Sequence, residues 1–150
     1  MSFDIHLFCF DDGEPISLPS DEIRRAFEKN GVTEYGDPVY VELDDGFSLE
    51  IWSGGLNSPE GTDSVMFAIR SISRSVTQLL FDLVSVPRVM ALVAASPALP
   101  FTSNRQVAGH IPDVGDEWAP LKLCGSLEEL EQSLLPMFGD WEEWAFNRDP

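Results

Sequence analysis

Residues 65–96 read VMFAIRSISRSVTQLLFDLVSVPRVMALVAAS, the most apolar long stretch of a 150-residue chain, with Asp82 as its only acid. The alternation of Val65, Phe67 and Ile69 with the residues between them predicts a buried strand. Apolar residues spaced three and four apart over 76–84 predict a buried helix that follows it. Both segments are therefore expected to form the core around which the flanking, acidic parts of the chain are arranged.

A proline interrupts this stretch at position 87. Because Pro87 lacks an amide donor and clashes with the preceding turn, the helix is expected to end or kink there, and Arg88–Ala95 is predicted as a second helical segment. Further prolines prevent its continuation. Residues 96–120 are predicted to be irregular, with one short strand near residues 106–111.

The flanking segments carry their own signals. Alternation over residues 2–10 predicts a strand, and the amphipathic run that ends at Asn30-Gly31 predicts a short helix. Two alternating runs around Asp44-Asp45-Gly46 predict a β-hairpin, which a glycine-rich loop at residues 53–64 follows. Near the end of the chain, Ser126 and Glu129 have the spacing of a capping box.

The helix that Ser126 opens is expected to stop at Pro136, and a further short helix is predicted from Asp140. Its Trp141 and Trp144 are expected to dock into the core, and a position at a protein interface is the open alternative. The resulting order, β-α-β-β-β and then helices, predicts an α+β fold. In this fold an antiparallel sheet has helices packed on one face. The length fits a single domain over residues 1–150.

The net charge of −17 is unevenly distributed: residues 1–63 carry −12, residues 64–111 carry +3 and residues 112–150 carry −8. Such a potential repels nucleic acid and anionic lipid and speeds encounter with a basic protein partner. Acidity that serves solubility alone is the alternative. Arg70, Arg74 and Arg88 of the central region are expected to pair with acids from both ends of the chain.

Two cysteines, no apparent signal peptide and no uncharged apolar span predict a protein of the reducing cytoplasm that does not enter the membrane. His6, Cys9, His110 and Cys124 are the four potential metal ligands of soft or borderline type. Residues 6 and 9 face opposite sides of a regular strand, so no metal site and no cofactor are predicted.

Catalytic motifs are equally scarce. The chain has no G-x-S-x-G elbow, phosphate-binding loop or dinucleotide fingerprint, and its 26 acidic residues single out no general acid. No catalytic residue is predicted, and the protein is not expected to be an enzyme. A Cys124–His110 pair stays open, because one sequence does not show which residues meet in space.

Tryptophans beside carboxylates are a more informative pattern. Large aromatic side chains supply buried area at protein interfaces, while acids steer a basic partner toward them. The residues predicted to bind such a partner are Asp44, Asp45, Glu60, Asp116, Glu117 and Trp118.

In its size, its acidity and its closing S-L-E-E-L and D-W-E-E-W segments, the chain resembles the small acidic immunity proteins that bacteria make against secreted toxins of the polymorphic and contact-dependent type. The resemblance implies a cytoplasmic inhibitor that binds a cognate toxin domain and occludes its active site. Two alternatives are a small enzyme or ligand-binding domain with a pocket between sheet and helices, and an adaptor subunit of a larger complex.

Overall fold

The computed structural model describes the backbone of residues 3–147 and the side chains of residues 3–139. This part of the chain forms eight strands and three α-helices. The strands are β1 (Phe3–Asp11), β2 (Glu14–Ile16), β3 (Val39–Glu42), β4 (Ser48–Trp52), β5 (Val65–Ile69), β6 (Val89–Val93), β7 (Leu99–Thr102) and β8 (Lys122–Leu123). The helices are α1 (Ser20–Lys29), α2 (Arg74–Val84) and α3 (Leu127–Asn147).

One sheet joins the strands in the order β3-β4-β5-β1-β6-β7-β8, with β2 paired to the end of β1. The pairings are antiparallel except that of β7 with β8. The predicted α+β class with an antiparallel sheet is therefore confirmed.

The central strand β1 divides the sheet into two faces. Phe3, Ile5, Leu7 and Cys9 are buried in the main core, which also contains apolar side chains of all three helices. The residues between them belong to the opposite face, where no α-helix packs among the described residues. The alternation of β1 thus places all three α-helices on one face of the sheet.

The apolar stretch folds as predicted in its first two elements. Phe67 of β5 is fully buried and stacks on Phe27 of α1, with ring centroids 6.0 Å apart. Helix α2 begins after Ser73, whose hydroxyl oxygen accepts a hydrogen bond from the Val76 N–H at 3.2 Å. The buried side of α2 carries the predicted residues Val76, Leu79, Leu80, Leu83 and Val84.

The prediction of a helical segment at Arg88–Ala95 is wrong, because Val89–Val93 forms strand β6. Arg88 adopts a left-handed backbone conformation, with φ of 69°, and turns the chain back toward the sheet directly after Pro87. The new strand then pairs with β1 on one side and β7 on the other. Because both of its faces are covered, its apolar run shows no alternation.

The predicted strand near residues 106–111 is also wrong, because Arg105–Gly109 forms a 3₁₀ helix. The strand of this region is β7 instead, which contains Pro100. Proline is tolerated there because β8 pairs with β7 only at Phe101 and Thr102, so the missing N–H leaves no gap in that ladder.

Helix α3 begins as predicted, since the Ser126 hydroxyl accepts a hydrogen bond from the Glu129 N–H at 3.2 Å. It then passes Pro136 and continues to Asn147, so the predicted stop and the separate helix from Asp140 are wrong. Leu134 and Phe138, on either side of the proline, are buried in the main core and hold the helix together across it.

The side chains of Trp141 and Trp144 lie outside the described residues, so the prediction that they dock into the core stays a prediction. Within the described part of the chain, no helix is both long enough and apolar enough to cross a membrane.

Candidate protein-binding surface

The six residues predicted to bind a partner lie at three separate places. Asp44 and Asp45 form the turn between β3 and β4, whereas Glu60 lies in the loop at the other end of β4. Residues 116–118 lie beside β7. Because β4 and β7 are four positions apart in the sheet, about 19 Å separates them at the usual strand spacing. The structure therefore does not bring the six residues into one patch.

Trp118 has a packing role. Its ring centroid lies 6.1 Å from that of Phe10, on the sheet face opposite the helices. Trp118 and Phe10 belong there to a second, smaller apolar cluster, whose other members are Phe8, Met90, Val107, Ile111 and Leu121. Trp118 thus helps to fix residues 105–121 over one half of that face.

Asp45 is tied to the start of α2. Its carboxylate accepts hydrogen bonds from the backbone N–H of Ser75 at 3.1 Å and from that of Phe47 at 3.3 Å. Loss of hydration raises the pKa of Asp45, but hydrogen bonds from Ser73, Ser75 and Phe47 together outweigh this effect and lower the pKa below its ordinary value. A negative charge is also favourable at a helix N-terminus. Asp45 therefore stabilises the fold, whatever it does for a partner.

The lowered pKa predicts how stability depends on pH. The folded state favours the ionised Asp45, so its contribution is complete above the ordinary Asp pKa of about 3.9 and is lost as the pH falls through the lower folded-state value. We expect Asp45→Asn to destabilise the protein near neutral pH and the difference from the wild type to shrink in acid. Urea unfolding at a series of pH values measures this. Asp44→Asn, which removes the neighbouring charge without touching α2, is the control, and an equal effect of both substitutions would contradict the prediction.

Asp11, Asp12 and His110 form a cluster that the sequence did not indicate. Their ligand atoms all lie within 4.8 Å of one another, because the backbone N–H of Gly13 donates a 2.8 Å hydrogen bond to the His110 carbonyl. The Arg88 guanidinium shares this space, at 2.9 Å from an Asp11 oxygen and 3.4 Å from His110 Nδ1. A cation of the chain itself thus offsets one of the two negative charges of the cluster, which joins the β1–β2 turn to residues 105–110.

The two thiols are separate from this cluster. Cys9 and Cys124 are both buried, and burial raises the pKa of each thiol. The polar partners that the structure describes around the His110 ring are Asp11, Asp12 and Arg88, with Cys124 not among them. Neither thiol is therefore placed or ionised as an activated nucleophile would be.

The other half of the helix-free face is uncovered and carries exposed aromatic side chains. Tyr40 is 73% exposed and Phe47 is 39% exposed. Both border a shallow recess of about 310 Å³, which also contains Glu50 and its ion-pair partner Arg70. We call this area the hairpin surface and define it by these four residues and Glu42. The alternation of β3 already placed Tyr40 and Glu42 opposite the core, so the sequence held a signal for it.

Apart from Arg70, the residues of the hairpin surface belong to the longest stretch of the chain without lysine or arginine. Residues 30–69 contain eight acidic residues and no lysine or arginine. Among the described residues, five of the nine basic side chains of the protein are engaged in ion pairs with its own acids. The predicted pairing of the central arginines is confirmed: Arg70 with Glu50, Arg74 with Glu128 and Glu131, and Arg88 with Asp11.

Searches against models of known protein families, curated proteins and solved structures found no match for the chain. A function has to be inferred from the surface and its charges.

Proposed function

We propose that the protein is a non-enzymatic inhibitor that binds a basic protein partner, and that this partner is a toxin domain, as for the cytoplasmic immunity proteins that it resembles. The observation that carries the proposal is the stretch of residues 30–69, which has eight acids and no basic residue and whose strands β3, β4 and β5 form the uncovered half of the helix-free face. Such a surface attracts a basic partner at long range and offers aromatic anchors on contact.

The arrangement of the reactive side chains supports binding over catalysis. The His110 ring is held among Asp11, Asp12 and Arg88, both thiols are buried, and the space between the sheet and the helices is filled by apolar side chains. A recess of about 700 Å³ opens between β8 and α3, and its Glu129 carboxylate already accepts a 2.7 Å hydrogen bond from the Gly125 N–H.

Reversal of one charge tests the proposal. We expect Asp44→Lys to slow association with the proposed basic toxin domain several-fold at low salt, and to weaken the salt dependence of that rate. Asp44 suits this test because, unlike Asp45, it makes no hydrogen bond to α2 among the described residues. Stopped-flow measurements over a range of salt concentrations give both quantities.

Asp116→Lys is the matched control, since it makes the same charge change toward the opposite edge of the sheet. Equal slowing by both variants would show that only the net charge matters. A toxin domain that neither binds the wild-type protein nor loses activity in its presence would overturn the proposal.

A further inference from the structure

Strand β3 is one edge of the sheet, and its outer side has backbone groups that make no hydrogen bond to the described residues. The Leu43 N–H donates a 2.8 Å hydrogen bond to the Phe47 carbonyl, across the turn toward β4. Residues of an antiparallel pair alternate between bonding to the neighbour and pointing away from it. Val39 and Val41 lie four and two residues before Leu43, so they too form hydrogen-bonded pairs with β4. The N–H and C=O groups of Tyr40 and Glu42 therefore point outward.

The charges around this edge decide which strand it can accept. Glu42 is exposed and lies beside the acidic turn at Asp44 and Asp45, and residues 30–69 supply no basic side chain. Arg70 borders the same recess as Tyr40, but it is paired with Glu50. Like charges on an edge oppose pairing with a second copy of the same strand. The same charges favour a strand that carries lysine or arginine.

We propose that the outer edge of β3 binds an extended, basic segment of the partner by β-strand addition. The backbone of Tyr40 and Glu42 supplies the hydrogen bonds, and Glu42 pairs with a basic side chain. The exposed Tyr40 ring accepts a second cation over its face. This inference rests on the proposed function and identifies the part of the surface that the partner contacts.

Hydrogen exchange and amide NMR test the inference with a short synthetic peptide of alternating arginine and threonine as the probe. We expect saturable binding that slows exchange of the Tyr40 and Glu42 amides and leaves those of Val39 and Val41 unchanged. A peptide of alternating glutamate and threonine should not bind. Protection of the same two amides without peptide, increasing with protein concentration, would instead identify a second copy as the occupant and overturn the inference.

Two pairs of variants separate strand addition from simple charge attraction. Tyr40→Ala keeps the outward N–H, whereas Tyr40→Pro removes it and leaves the hydrogen bonds to β4 intact. The proline variant should bind the peptide about two- to tenfold more weakly than the alanine variant, the usual worth of one hydrogen bond. Glu42→Lys should weaken binding more than Glu14→Lys, which makes the same charge change on exposed β2.

Equal affinities within both pairs, or signal changes spread over all acidic surfaces, would overturn the inference. The toxin domain distinguishes this failure from that of the proposed function. If the toxin still binds Tyr40→Pro and Glu42→Lys with wild-type affinity, the edge is not the site, although the protein is an inhibitor. If the toxin does not bind the wild type, the proposed function itself fails.

Discussion

Replacing Phe67 with alanine should lower the free energy of unfolding by about 3–5 kcal/mol. Phe67 lies on β5 between Ile51 of β4 and Ile5 of β1, and it is fully buried. Its ring also stacks on Phe27 of α1, so alanine would leave a cavity where the sheet meets a helix. Because natural domains are stable by about 5–15 kcal/mol in total, this single change consumes a large part of the margin.

Urea unfolding followed by circular dichroism measures the effect of Phe67→Ala. Phe47→Ala is the matched control, because it removes the same ring from a residue that is 39% exposed on the hairpin surface. The control should cost about 1–2 kcal/mol, in proportion to the part of the side chain that is buried. Losses of similar size for the two variants would contradict the assignment of the two sheet faces.

The elements that the sequence predicted well are those whose burial is one-sided. Strand β1 alternates because one of its faces meets helices and the other is only partly covered, and α2 has one apolar stripe because only one side packs. In each case a local pattern records a difference between the two sides of the element. The fold class followed from the order of these elements.

Strand β6 was misread because its surroundings are the same on both sides. Its apolar run could equally be the interior of a helix, and length alone did not decide between them. The structure is decided by distant residues: β1 pairs along one edge, and residues 105–121 cover the second face. The pattern of these five residues contains no information about either contact.

The candidate site shows the same limit. Tyr40 and Glu42 were placed on the outer face by their alternation, yet only the sheet order shows that β3 is an edge with outward-pointing amides. The acids at 44–45 and 116–117 look alike in sequence, although they lie toward opposite edges of the sheet. Charge composition therefore led to the prediction of a basic partner, whereas the binding site proposed for that partner could be located only from the order of the strands.

Asn104 stabilises the connection that the sequence misread. Its amide nitrogen Nδ2 donates hydrogen bonds to the carbonyl of Val84 at 2.7 Å and to that of Val86 at 2.8 Å. Val84 is the last residue of α2, and carbonyl groups at a helix C-terminus have no partner within the helix. A side chain that lies 18 and 20 residues further along the chain thus caps α2 and holds the turn into β6.

Asn104→Ala should lower the free energy of unfolding by about 1–3 kcal/mol, the usual net worth of two hydrogen bonds. The Val84 and Val86 carbonyls keep other donors, the Ser103 hydroxyl at 3.0 Å and the Val89 N–H at 3.1 Å, so the loss is that of the two bonds alone. Asn104→Asp keeps the shape but replaces the donor with an ionised acceptor beside two carbonyls, so it should destabilise at least as much at neutral pH. Urea unfolding of both variants measures the effect. Asn57→Ala, which removes a single hydrogen bond of 3.5 Å at the surface, is the control and should cost about 0.5 kcal/mol or less. If Asn104→Asp were as stable as the wild type, the turn after α2 would be held by its own residues. The Asn104 side chain would then have no part in ending the helix before β6 begins.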